Sequence, residues 1–144
     1  MVQALTLVAG DREAAADAVQ DAFVQAHRHR DRVLAMESPA GWLRHVALNR
    51  IKNQHRSQQR QSDALPRLMP LDFPASTSLG DVRDALPLIA TLPPQQRAAV
   101  ALYYLLDQPT DAVAEHLGVS EATVRSHLRT ARRRLHQELE EEGA

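Results

Sequence analysis

The sequence predicts an all-α protein made of two small helical domains joined by a flexible linker. Three observations carry that expectation. Only five of the 144 residues are glycine and only 3% are aromatic, while alanine, leucine, glutamine and arginine abound, a composition that favours helix over sheet. Apolar residues recur at three- and four-residue spacing through most of both halves. Between the halves, Pro66, Pro70, Pro74 and the cluster Ser76-Thr77-Ser78 fall in a stretch without sustained period, as a linker would. The chain therefore divides into residues 1–60, a linker over 61–80, a second domain over 81–138 and an acidic tail over 139–144.

The first clear element runs from Asp11 to about Arg30. Ala15, Val19, Ala22, Phe23 and Ala26 form its apolar side, and Asp11 is placed to cap it. Asp31 to Pro39 breaks the period. Ser38-Pro39-Ala40-Gly41 then looks like a cap with proline at the first helical position, opening a helix from Ala40 to Gln59. Leu43, Val46, Ala47, the stem of Arg50 and Ile51 would face the core, leaving His45, Asn49, Lys52, Arg56 and Arg60 on another face.

The second half resumes with Val82, Ala85, Leu86 and Ile89, where Pro87 should kink or restart the helix. Pro93-Pro94 opens a helix over Gln95 to Leu106. Two more follow, Thr110 to Leu117 and Ser120 to about Glu138, before Glu140-Glu141-Glu142 ends the chain as a solvated acidic tail.

Several function classes drop out at once. There is no cysteine, which removes disulfides, thiolate metal sites and cysteine nucleophiles. No apolar run approaches the roughly 20 residues of a membrane span, and no basic-then-apolar leader is visible, so a cytoplasmic protein without membrane insertion is expected. A formal net charge of −1 and a pI near 6.6 exclude coating of nucleic acid by bulk charge, so any DNA contact must come from local basic stripes. No paired carboxylates, nucleophile–base set, phosphate loop or metal cluster stands at workable spacing; an enzyme, a metal site and a cofactor are not expected. His27 and His29 are two residues apart on a helix and point to different faces.

The most specific local signal is TDAVAEHLGVSEATVRSHLRTARRRL. It has a small residue, Ala114, where two helices would cross, and Gly118 where the turn needs positive φ. Val113, Leu117, Val119, Val124 and Leu128 would wedge the pair together, and Ser120 caps the second helix with Glu121 behind it. With Val124, Leu128, Ala131 and Leu135 inward, Arg125, Ser126, Arg129, Thr130 and Arg133 fall outward, the face of a recognition helix in a major groove. Arginine can read guanine bidentately, and the hydroxyls, with Ser120 and Thr123 at the helix start, suit phosphate or base contacts. The motif alone does not choose between families, since a stand-alone regulator with a LuxR-like output domain carries nearly the same string.

Taken together and in order, GDREAAADAVQDAFVQAHRHRD, SPAGWLRHVALNRIKNQHR, LPPQQRAAVALYY and the helix-turn-helix resemble the extracytoplasmic-function (ECF) sigma factors of the sigma-70 family. The resemblance covers most of the chain outside the linker. It implies a sigma-two domain over 1–60, a sigma-four domain over 81–138, and a promoter-recognition subunit of RNA polymerase. Asp17, Gln20, Asp21 and Val24 then match positions that meet the clamp helices of the polymerase β′ subunit, although the residues alone favour a solvated helix face. Asn49 and Asn53 match positions facing the −10 non-template strand, and Arg32 to Gly41 matches a loop holding a flipped base.

Local chemistry agrees with that assignment. Ser38 to Ser62 contains Arg44, Arg50, Lys52, Arg56 and Arg60 and no acidic residue, so a single-stranded backbone could lie along it. His45 shares that face, and Trp42 could stack on a base or belong to the core. The helix-turn-helix would read the −35 element. Core polymerase (β′ clamp helices and β flap), promoter DNA and an anti-sigma factor are the implied partners. The resemblance further implies another helix ahead of Leu5–Gly10, whose loss would expose Val19, Phe23 and Val46.

Overall fold

The computed structural model describes residues 1–61 and 81–143. The expected linker lies outside them, except Gln61. All described elements are helical: α1 (Val2–Ala9), α2 (Arg12–Arg28), α3 (Arg30–Leu34), α4 (Pro39–Gln61), α5 (Asp81–Ala90), α6 (Pro94–Val100) running into a π-helical turn at Ala101–Leu105, α7 (Thr110–Leu117) and α8 (Glu121–Gly143).

Helix α1 has no amphipathic signature, because Ala4, Leu5, Thr6, Leu7 and Val8 are all buried in succession. It ends at Gly10, whose φ of 78° lets its N–H return to the Thr6 carbonyl at 2.8 Å, a left-handed cap that glycine adopts without penalty. Asp11 then caps α2 by accepting from the Glu13 N–H at 3.1 Å. The buried stripe of α2 is narrow and made of small residues, Ala15, Ala18, Val19 and Ala22, which lets α1 and α4 approach closely.

Phe23 is not part of that stripe. It stands about 100° round the helix from Ala22 and is 54% exposed, which corrects its expected core role. The segment expected to form a loop is also more ordered: α3 takes Arg30–Leu34, Pro39 already belongs to α4, and only residues 35–38 lie between the helices. The Ser38 hydroxyl accepts from the Gly41 N–H at 3.0 Å and fixes that start. Ala47, Leu48 and Ile51 form the buried face of α4. Arg50 is exposed instead of lying along the core, its guanidinium 3.9 Å from the Asp21 carboxylate.

In the second half, α5 runs through Pro87 without restarting. Pro87 faces solvent while Leu86 and Ile89 are buried, and the helix stops within one turn, so only its last stretch bears the missing N–H. The helix expected over Gln95–Leu106 widens after Val100, and the Leu106 N–H bonds to the Ala101 carbonyl at 3.0 Å. The corner beyond contains Asp107, at φ 55° the one non-glycine residue with positive φ among those described. Helix α8 continues through the expected acidic tail to Gly143, with His136 and Glu140 3.1 Å apart at i,i+4 spacing.

The two halves share one core. Leu5, Leu7 and Ile51 from the first half join Leu102, Leu106, Val113 and Val124 from the second in a single cluster. At its edge Arg97, only 8% exposed, donates from Nε to the Leu7 carbonyl at 2.9 Å. Burial lowers its pKa below the ordinary arginine value. His55 Nε2 lies 3.1 Å from the Ala9 carbonyl. Both side chains thus serve carbonyls at the end of α1 that have no partner within the helix, and a cation there complements the helix dipole.

Candidate nucleic-acid interface

Helices α7 and α8 form the expected helix-turn-helix. Gly118 has φ 70° and a clear space where a Cβ would stand, so backbone conformation alone demands glycine there. Ala114, Val113, Val124, Leu128 and Ala131 are buried between the helices. The Ser120 hydroxyl accepts from the Thr123 N–H at 3.1 Å and sits 2.9 Å from the Thr123 hydroxyl. Thr110 donates to Glu121 at 3.0 Å and ties the starts of the two helices together.

This frame presents Arg125, Ser126, Arg129 and Arg133 to solvent, with Thr130 and Thr123 half-buried and Ser120 exposed. Two further exposed cations on α8, Arg132 and Arg134, escaped the periodicity argument. Arg132 is held by the Tyr104 hydroxyl at 3.2 Å, a contact across 28 residues that no local pattern reveals.

On α4, His45, Asn49, Asn53 and Arg56 are exposed, Trp42 is half-buried, and the side chain of Arg60 lies outside the described residues. Lys52 departs from the expectation of a free basic face. Its side chain is 16% exposed and its Nζ stands 3.6 Å from Glu115 on α7. His45, Asn49 and Lys52 line one wall of a cavity of about 90 Å³, and Glu115 and His116 line the other. His116 Nε2 is buried without a hydrogen-bond partner. Burial, with the charges of His55, Lys52 and Arg56 adding to it, lowers the His116 pKa to about 4.

The four α2 positions divide. Asp17, Gln20 and Val24 are exposed, whereas Asp21 is half-buried, accepting from Gln25 Nε2 at 3.0 Å and facing Arg50 on α4. Exposed Phe23, Leu34 and Met36 add apolar surface in the same part of the chain. Among the described residues, no group of three or more His, Asp or Glu side chains could hold a metal ion, and no helix is long and apolar enough to cross a membrane.

Comparison with known proteins agrees with this arrangement. Residues 2–61 match the family model Sigma-70 region 2, and residues 84–135 match Sigma-70, region 4. The ECF RNA polymerase sigma factor SigL of Mycobacterium tuberculosis is 32% identical over 143 residues, covering 93% of this chain and 79% of SigL. SigM of the same organism is 30% identical over 128 residues, covering 85% and 63%. A Xanthomonas campestris protein, "Probable RNA polymerase sigma factor RfaY", is 32% identical over 142 residues, and there the match spans 90% of this chain but 35% of the relative. The solved sigma factor RpoE of Bartonella quintana, in complex with the anti-sigma factor NepR, shares the fold with a TM-score of 0.62 at 23% identity, over 96% of this chain and 89% of that one. With both regions present in order and at this level of identity, the chain belongs to the ECF sigma factors of the sigma-70 family.

Proposed function

We propose that this chain docks on core RNA polymerase and directs initiation at a particular set of promoters, acting as a non-catalytic specificity subunit. The observation that carries this reading is the pairing, in one chain, of a capped helix-turn-helix with an acid-free basic helix, α4. Helix α8 would read −35 duplex through Arg125, Arg129 and Arg133. Helix α4, with Asn49, Asn53 and Arg56, would hold the melted −10 strand. The exposed Asp17, Gln20 and Val24 on α2 would meet the β′ clamp helices, with Asp21 orienting α4 through Arg50.

Coupling two weak DNA contacts through polymerase raises their effective concentration without high charge, which suits a net charge of −1. The chain would work where core polymerase is, in the cytoplasm, and needs no cofactor. The pairing of RpoE with NepR supports an anti-sigma partner here too. A stand-alone LuxR-like regulator is disfavoured, because the first half matches a sigma-70 region 2. Run-off transcription with core polymerase on a promoter library tests the proposal. A discrete subset of promoters should fire only when the chain is added; a transcript profile unchanged by the chain refutes it.

A further inference from the structure

We propose that Tyr104 and Arg132 together seat one backbone phosphate of the −35 duplex at the rim of the groove that α8 reads, Tyr104 being the positioning residue that fixes the guanidinium. The inference rests on the reading of α8 as the recognition helix.

The two side chains converge from different elements. Tyr104 lies in the π-helical turn Ala101–Leu105 and Arg132 on α8, 28 residues on, and the guanidinium Nη1 donates to the Tyr104 hydroxyl at 3.2 Å. Both residues are exposed. The ring of Tyr104 meets that of Tyr103 edge to face, with centroids 4.9 Å apart and planes at 86°, a favoured aromatic arrangement that limits where the hydroxyl can go. The π-helical turn leaves the two tyrosines side by side at the surface while Leu102 and Leu106 stay buried. Such turns are frequent at functional sites.

What the pair presents outward is donors. Accepting from Arg132 leaves the Tyr104 O–H able to donate, and the guanidinium keeps its other N–H groups. Among the described residues no carboxylate lies within ion-pair distance of Arg132. A cation beside a hydroxyl donor, with no acid to neutralise it, suits an anion that only accepts, as a phosphate of the DNA backbone does.

Position along α8 selects that phosphate over a base. Arg132 follows Arg125 by seven residues, two helical turns less about 20°, so it stands on the same side about 10 Å further along. A recognition helix reads base edges with its first turns and meets the backbone as it leaves the groove. Arg125 and Arg129 belong to the first stretch, Arg132 to the second. Tying down an exposed arginine costs side-chain freedom and returns little stability. What the tie does supply is a phosphate donor already in place when the duplex arrives.

The test uses the full chain bound to core polymerase and −35 duplexes that carry one neutral methylphosphonate, moved along the backbone position by position. With the wild-type chain, substitution at one rim position should weaken binding about tenfold. Arg132→Ala should weaken the unmodified duplex by a similar factor, lower the slope of log affinity on log salt by about one, and become insensitive to methylphosphonate at that position alone. Tyr104→Phe keeps the ring. It should weaken the unmodified duplex about threefold and blunt the effect at the same position, with an unchanged melting temperature. Arg134→Ala removes an equal charge from the side of α8 opposite Arg125 and should leave the sensitivity at that position intact.

An Arg132→Ala chain that binds as well as the wild type overturns the proposal. So does one that binds less well yet responds to every methylphosphonate as the wild type does, because the loss would then be structural. A Tyr104→Phe chain indistinguishable from the wild type overturns the positioning role. If the wild-type complex does not prefer the −35 duplex to a scrambled one, the reading of α8 itself falls and this contact falls with it.

Discussion

Gly10 and Gly118 both adopt left-handed backbone conformations, yet their surroundings separate what a methyl group would do. A Cβ on Gly10 would stand 2.8 Å from the Arg97 guanidinium, whereas one on Gly118 would meet nothing within 4 Å. Gly118→Ala should therefore cost about 1 kcal/mol of backbone strain. Gly10→Ala should cost more, about 2 kcal/mol, because the guanidinium of Arg97, whose Nε donates to the Leu7 carbonyl, must shift as well. Urea unfolding of the two variants checks the order; equal losses would mean that Arg97 contributes nothing at that site. His116 gives a pH signature. Its folded pKa, about 4, lies below the ordinary 6.5, so the unfolded chain takes up the proton first. The stability linked to it is full above about pH 6.5 and is lost as pH falls toward about 4. His116→Gln should flatten that part of the stability profile, and an unchanged slope in urea midpoints between about pH 7 and about pH 5 would assign it to other groups. Phe23 is exposed where its size would suggest core. Phe23→Ser should change stability by less than about 0.5 kcal/mol while weakening binding to core polymerase, as read by competition against the wild-type chain.

At the scale of elements, the helix-turn-helix was legible because every signal it uses is local: Ala114 at the crossing, Gly118 at the turn and Ser120 at the cap lie within seven residues in sequence. The α4 start was legible for the same reason, through Ser38 and Pro39. Helix α1 was not, since a segment buried on every side loses the polar face that creates a period. The stripe on α2 was misjudged at Phe23 because alanines, weak in hydropathy, hold the close-packed side. The π-helical turn lies against α1, and the corner at Asp107 meets Arg44 of α4, contacts that no neighbouring residue announces. On α8 the exposed arginines invite a direct test. Arg129→Ala should weaken binding of −35 duplex, measured in the polymerase complex, by about 1–3 kcal/mol if it reads a base, and should relax preference at one base pair only. A uniform loss across sequences would instead make it a phosphate contact.

At the scale of the molecule, the fold class and the order of the two regions followed from composition and motif order, but their mutual packing did not. The contacts that join the halves span long stretches of chain, Arg97 to Leu7 across 90 residues and Arg44 to Leu106 across 62, and each involves a polar side chain that in sequence reads as surface. The central claim is that this protein opens and selects promoters only as part of polymerase. Footprinting a responsive promoter with and without core polymerase, combined with a probe for unpaired thymines, tests it most directly. The account predicts −35 protection and an unpaired −10 segment when chain and core polymerase are both present, and neither with the chain alone. Strong protection of duplex by the chain alone, unchanged when polymerase is added and without strand opening, would contradict it.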